Sequence, residues 1–475
     1  MSSLEQAFRS FLFFLSGWIF ALSIVGAQTV KNILPEALIS YYAVDLSTHE
    51  VLAENNSDKL MTPASLLKLV TTATAIELQG LDKTSATIFY YRGAISEGGL
   101  KGDIIIKAAA DGTFGSAHFS STNPEELLRV IKRRLNQSGI FSVDGKIIFD
   151  LSELPPPYQP AGRLIEDIGN YYGAPPMPLS WRDNTFRVIL KSPNTPGQIC
   201  SIVATVPTLD DLQFNCYVES ASNNKDSAYI YGYSDSNVWD IRGSIPQGRD
   251  RFIIKGALPH PEKIFGQELL TCFDNNSRIE LVYQYDGFPY HLAKELFFIQ
   301  SPPLSEVIKE VNQQSNNLLA DHLFVALNNS KTNPANRWTA AAALTKEFWR
   351  SNKIIAPILI FDGSGLSPRN KVTSRYMVEM LQYMSSSPNF NVFQNSLAIS
   401  GVSGTLRYMW QQDGYRGRVV AKSGSMEGVI NYAGYLTTST NRRIAFSVMV
   451  NNYTGTSKNS KEYILTLISE WIDLF

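Results

Sequence analysis

Three short clusters hold residue types whose spacing suits nucleophilic chemistry. The first is Ser65-Leu66-Leu67-Lys68. Residues three apart on a helix lie about one turn apart on the same face, so the Lys68 amine can approach the Ser65 hydroxyl. A serine hydroxyl is a weak nucleophile until a neighbour takes its proton, and an amine does this once burial and nearby cations lower its pKa. Alone the spacing is a weak signal. It recurs in the polar stretch Ser222-Asn223-Asn224-Lys225, and Ser65 would serve equally as a helix cap with Lys68 in solvent.

The second cluster, Ser315-Asn316-Asn317, lies between two helical patterns. Its hydroxyl and carboxamide offer a proton relay and a donor for a substrate amide carbonyl, although a polar interhelix loop has the same composition. The third, Lys422-Ser423-Gly424-Ser425, follows the β run Arg418 to Ala421. A cation and hydroxyls on a strand beside Gly make a carboxylate-binding edge that a substrate backbone can approach closely. The ordered combination carries more weight than any one member: helix start, interhelix loop, sheet edge. Asp362-Gly363-Ser364-Gly365 contains another serine, but no positioned histidine accompanies it. It reads as a tight Gly turn capped by Asp362.

These clusters need a scaffold. The chain has 475 residues, enough for about three domains at roughly 150 residues each. Lys+Arg 42 against Asp+Glu 43 leaves a net charge of -1, so no general field attracts nucleic acid. With 44% hydrophobic and 18% charged residues the chain is globular. The histidines His49, His118, His260, His291 and His322 form no His-Glu-x-x-His, and the cysteines no Cys-x-x-Cys, so a zinc site is not indicated. Cys200 and Cys216 are the pair expected to form a disulfide, with Cys272 a buried thiol. At the N-terminus Arg9 precedes the apolar run Phe11 to Val25, broken by Ser16, Gly17 and Ser23, and then Gly26-Ala27. That order predicts a secretory signal cleaved after Ala27, with an uncleaved anchor as the alternative. The localisation expected is the periplasm or cell envelope.

Ile39 to Ala53 reads as a hairpin turning at Leu46-Ser47-Thr48-His49, and a helix is predicted from Ser65 to Leu78 with Gly80 as its stop. Short β runs follow at Ile104–Ile106, Lys146–Phe149, Phe186–Leu190 and Ile279–Tyr283, with Pro and Gly turns between them. Helical patterns return at Leu304–Asn312, Leu318–Leu327, Thr339–Trp349 and Val372–Met384. Strands Gly417–Lys422, Asn431–Thr438 and Arg443–Asn451 and a terminal helix Lys461–Leu474 complete the chain. The order predicts an α+β fold split by an insertion.

The three clusters resemble the Ser-x-x-Lys, Ser-Asp-Asn and Lys-Thr-Gly set of serine β-lactamases and penicillin-binding proteins. The resemblance is closest to low-molecular-weight penicillin-binding proteins of the D-alanyl-D-alanine carboxypeptidase/endopeptidase type. It extends to Pro63-Ala64, Leu100-Lys101-Gly102-Asp103, Asp144-Gly145-Lys146, Leu318-Leu319-Ala320-Asp321, Asp362–Ser367, Gly401–Leu406 and Met426–Val429. Ser65 and Ser315 lie 250 positions apart, room for extra domains between motifs that must meet. The resemblance implies a serine β-lactamase/DD-peptidase-like domain divided by an inserted, mainly β region. Its boundaries are expected at 1–27 (signal), 28–81 and 286–475 (peptidase domain) and 82–285 (insertion).

The resemblance further implies Ser65 as acylated nucleophile, Lys68 as its proton acceptor, and Ser315 with Lys422 as the relay to the leaving amine. Asn317 would hold the substrate amide. Lys422, Ser423 and Ser425 would bind the terminal carboxylate, with Gly424 between them and Met426 beside the stem-peptide side chain. The N–H groups of Ser65 and Ser425 would form an oxyanion hole. Ser423 stands where Thr is commoner and keeps the hydroxyl, and Arg182 stands where some relatives have an acidic residue. The implied partners are peptidoglycan stem peptides, with β-lactams as covalent inhibitors and no nucleic acid. No metal or organic cofactor is implied. A β-lactamase or esterase on the same fold would need a deacylating base, and no Glu-x-x-x-Asn signature lies near the second cluster. An inactive envelope scaffold is the remaining alternative.

Overall fold

The computed structural model describes residues 36–233, 236–328 and 336–475. The expected signal, residues 1–27, lies outside them. The architecture is α+β, and its centre is a six-stranded antiparallel sheet that joins the two ends of the chain. Its strands run in the order Ala398–Ile399, Val419–Met426, Val429–Thr437, Arg443–Asn451, Leu38–Asp45 and Val51–Asn55. Leu38 lies opposite Asn451 and Asp45 opposite Ile444, so the N-terminal hairpin pairs along its full first strand with the last strand.

Side-chain alternation along these strands supplies two cores, because successive residues face opposite sides of a sheet. Ile444, Phe446, Val448 and Val450 pack with Ile464, Ile468 and Trp471 of the terminal helix Ser457–Leu474. Ala445 and Met449, with Ala433 and Tyr435, face the opposite side against helices Leu67–Gln79 and Ser374–Ser386. Covered on both faces, the central strands read as near-continuous apolar runs. The predicted hairpin turn forms at Leu46–Thr48, where Asp45 Oδ1 accepts from the N–H groups of Ser47 (2.8 Å) and Thr48 (3.0 Å). Arg442 Nε reaches Asp45 Oδ2 at 2.8 Å and ties the two hairpins together.

Between the first helix and Leu304 the chain builds a five-stranded sheet and two three-stranded sheets. The larger runs Arg278–Gln284, Ser142–Asp150, Gly99–Lys107, Ala86–Ser96, Lys294–Gln300, with parallel pairing among its first three strands. Helix Pro124–Gln137 connects two of those parallel strands, as parallel pairing requires a crossover. Its last strand, Lys294–Gln300, pairs with Ala86–Ser96, so this sheet continues past residue 285. Helices resume at Leu304–Gln313, Asn317–Ala326 and Arg337–Ser351.

Further details differ from expectation. Cys200, Cys216 and Cys272 are all free thiols. Cys200 is buried, and that burial pushes its thiol up to about 11. The strand expected to stop at Lys422 runs on to Met426, because Gly424 packs against another turn. Among the described residues no helix is long and apolar enough to cross a membrane.

The packing of the terminal helix is testable through Trp471, which meets Tyr41 and Phe446 edge-on at 5.7 and 6.4 Å. Trp471→Ala should cost about 3–5 kcal/mol. Thermal unfolding followed by circular dichroism should show a lowered midpoint, and an unchanged one would contradict this packing.

Candidate active site

The nucleophile candidate sits on a strained turn. Pro63 leads into a single 3-10 turn, Ala64–Leu66, in which Ala64 has φ 47°, left-handed backbone that a β-carbon resists. The α-helix starts only at Leu67 and ends at Gly80. Ser65 makes no capping hydrogen bond, so the helix-cap reading does not describe it.

The turn is held from three sides. Asn431 Nδ2 donates to the carbonyls of Thr62 and Pro63, each at 2.9 Å, and the Thr62 N–H donates to Asn451 Oδ1 at 2.7 Å. Both asparagines are buried, one on each of two neighbouring strands. A Cβ on Gly424 would lie 2.6 Å from Pro63 O and 3.1 Å from Ser65 N, so only glycine lets strand Val419–Met426 come this close. A Cβ on Gly365, at φ 80°, would meet Ala64 O at 1.9 Å. The tight Gly turn at Asp362 therefore forms the third support. Asp362 caps it as expected, Oδ1 accepting from Gly365 N at 2.8 Å and Oδ2 from Ser367 N at 2.7 Å.

Lys68 is the second residue of the helix and is fully buried. Its Nζ contacts Ser65 Oγ at 2.9 Å, Asn317 Oδ1 at 2.6 Å and Ser364 O at 2.6 Å. Burial pushes its pKa down to about 7, against the opposing pull of Asp321 and Asp362 and with help from Arg163. A neutral amine has two N–H donors and one lone pair. Asn317 Oδ1 and Ser364 O have no proton to give, so they take the two N–H groups and leave the lone pair facing Ser65, whose hydroxyl has one.

The second buried lysine closes the site. Lys422 Nζ donates to Ser315 Oγ at 2.9 Å and to its neighbour's carbonyl, Ser423 O, at 2.7 Å. Burial, and then the charge of Lys68, holds its pKa well below the usual lysine range. Ser315 has φ 62°, which turns the chain between helices Leu304–Gln313 and Asn317–Ala326, while Asn316 caps the second through Leu319 N at 3.1 Å. Ser423 Oγ donates to Thr405 Oγ1 at 2.8 Å. Ser425 is exposed and Met426, half-buried, ends the strand.

All nine candidate residues thus fall on the three elements that meet at the Ser65 turn. The chance match Ser222–Lys225 is an exposed turn between two strands of the insertion. Arg182 is engaged elsewhere, its Nε and Nη2 on the two Glu268 oxygens at 2.8 and 2.9 Å. Sequence reasoning missed Asn431, Asn451, the Ser364 carbonyl and Tyr172, whose carbonyl takes Asn317 Nδ2 at 2.8 Å. Backbone carbonyls leave no trace in residue type, and the two asparagines sit at inward positions of strands whose neighbours are apolar. Among the described residues no group of His, Cys, Asp and Glu is placed to hold a metal ion.

The sequence as a whole can be compared with known families. Residues 24–470 fit the model of the D-Ala-D-Ala carboxypeptidase 3 (S13) family. The chain belongs to this family of peptidases. It is 26% identical to D-alanyl-D-alanine carboxypeptidase DacB of Haemophilus influenzae, over 97% of this chain and 95% of that protein. It is 24% identical to a D-alanyl-D-alanine carboxypeptidase of an Actinomadura strain, over 89% of this chain and 79% of that one. The crystal structure of penicillin binding protein 4 (dacB) from Haemophilus influenzae superposes with a TM-score of 0.78 at 21% identity, covering 94% of this chain and 99% of that one. This confirms the α+β fold of the penicillin-binding proteins for the S13 member described here.

Gly424→Ala tests the closeness of the strand to the nucleophile turn. The added methyl must push back Pro63 or Ser65, so labelling of the protein by a fluorescent penicillin should slow about tenfold or more while the melting midpoint falls by only a few degrees. Labelling at the wild-type rate would show that the turn and strand are not in contact.

Proposed function

We propose that this peptidase is a serine-type D-alanyl-D-alanine carboxypeptidase acting on peptidoglycan stem peptides through an acyl-Ser65 intermediate. The observation that carries the reading is the environment of Lys68, a buried amine whose only hydroxyl partner among the described residues is Ser65.

In this reading Lys68 takes the Ser65 proton as Oγ attacks the penultimate D-alanine carbonyl. The N–H groups of Ser65 and Ser425 stabilise the oxyanion. When the C–N bond breaks, the proton taken by Lys68 passes through the Ser315 hydroxyl, hydrogen-bonded to Lys422, to the departing amine, so Lys68 is neutral again to accept a proton from the attacking water. Water then hydrolyses the ester and restores the serine. Asn317 holds the substrate amide; Lys422, Ser423 and Ser425 receive the terminal carboxylate; and Gly424 leaves room for the substrate backbone, with Met426 beside the stem side chain. D-alanyl cross-links present the same bond, so endopeptidase activity follows from the same chemistry.

β-Lactams present a strained amide to the same serine and are expected to acylate it covalently. A Haemophilus influenzae penicillin binding protein 4 structure complexed with a β-lactam, similar in fold at a TM-score of 0.75, supports this. The setting proposed is the periplasm or cell envelope, reached through the N-terminal segment with cleavage after Ala27. We place the peptidase domain on both sides of an insertion that starts near residue 82, its sheet closing with Lys294–Gln300.

Two measurements test the reading. Mass analysis of peptides after exposure to labelled penicillin should place the adduct on Ser65 and find none in Ser65→Ala; an adduct elsewhere would sink the assignment. The acylation rate should rise with pH through about 7, because the neutral Lys68 amine that can accept a proton predominates above that value. Lys68→Ala should lose roughly 100-fold to 10,000-fold in rate and abolish this limb.

A further inference from the structure

One buried cation has no part in the chemistry above. Arg163 belongs to the insertion, just before the short helix Ile165–Ile168, and its side chain is 1% exposed. Its Nη2 donates to Asp321 Oδ2 at 2.8 Å and to Asp362 Oδ2 at 3.1 Å, both carboxylates being completely buried. Asp321 comes from helix Asn317–Ala326, which starts at the second motif, and Asp362 from the Gly turn that supports Ala64.

Those carboxylates shape the surroundings of Lys68. Asp321 Oδ1 accepts from the N–H groups of Gly363 (2.9 Å) and Ser364 (2.8 Å), while Asp362 binds Gly365 N and Ser367 N on the other side. Between them the Ser364 carbonyl is aimed at Lys68 Nζ. Two buried carboxylates this close repel each other unless a cation lies between them. Arg163 is that cation, and Ser367 Oγ donates to Gly162 O at 2.9 Å as a second tie between turn and insertion.

We propose that Arg163 is a positioning residue for Lys68: it locks the Asp362–Ser367 turn and cancels the charge of Asp321 and Asp362, so that the inserted region supplies part of the machinery of the base. This rests on Lys68 being the proton acceptor for Ser65. The charged groups that bear on Lys68 are Asp321 and Asp362, which favour its ammonium, and Arg163, which opposes it; the buried Lys422 amine lies nearby, its own pKa lowered by burial and then by the charge of Lys68. Removing Arg163 leaves the carboxylates unopposed. The ammonium is then favoured, and the pH at which the lysine becomes a base rises.

The test is the pH dependence of acylation by labelled benzylpenicillin in the full chain. Arg163→Met should move the rising limb up by about one pH unit, which is about a tenfold slower acylation at any pH below the wild-type midpoint. Arg163→Lys, which keeps the charge, should return the limb most of the way. Asp362→Asn, which removes a carboxylate while Arg163 stays, should move the limb the opposite way, to lower pH. This variant decides the matter if Arg163→Met does not fold. A folded Arg163→Met with the wild-type limb, or an Asp362→Asn limb that is unmoved or raised, overturns the proposal. A wild-type protein that forms no Ser65 adduct, or shows no limb near 7, would instead refute the role of Lys68 itself.

Discussion

Taking the charge of Lys68 out of water is the constraint from which the rest of the site follows. An ammonium in a dry interior is costly, so the lysine releases its proton near neutrality, and what the neutral amine then does depends on where its two N–H bonds point. Here they are directed to Asn317 Oδ1 and Ser364 O, leaving the lone pair for Ser65. Each of these partners is itself held. Asn317 is fixed by the Tyr172 carbonyl, Ser364 by Asp321, and the Ser65 turn by Asn431 and Asn451. The buried polar network is nearly saturated, which is what allows it to exist inside an otherwise apolar core.

Convergence of residues 250 positions apart is achieved by sheet closure. The first strand pairs with the last, and the Ser65 turn emerges just after the N-terminal hairpin. The third motif lies on Val419–Met426, two strands from Arg443–Asn451 in the same sheet. The second motif arrives on a helix packed against the nucleophile helix through residues such as Phe324 and Val325. The insertion leaves this domain after Gly80 and returns before Leu304, yet sends Arg163 and Tyr172 back to the site.

Much of this was legible in the residues. Strand Arg443–Asn451 has the predicted bounds and Ser315 turns the chain between two helices as expected, while Ser65 lies on a 3-10 turn before the α-helix and Asn317 begins the following helix. The helices differ at their ends by a few residues, because caps and frayed turns decide those. The strand through Lys422 was predicted too short because Ser423 to Ser425 look like a turn until a partner element is seen to need the missing β-carbon of Gly424. Cys200 with Cys216 was the most plausible pair from proximity in sequence and export, which do not fix the mutual orientation of two side chains that a disulfide needs.

The identity of the reacting groups follows from local chemistry. A hydroxyl and an amine one helical turn apart, a second hydroxyl with a carboxamide, and a cation beside glycine each state a capability through residue type and short-range spacing. Whether those capabilities meet is a long-range question, set by strand order and by burial. The protonation of Lys68, the aim of Ser364 O and the reach of Arg163 depend on neighbours more than 40 positions away in the chain. Charge desolvation and carbonyl direction are properties of a packed interior, and only the tertiary structure brings them into being.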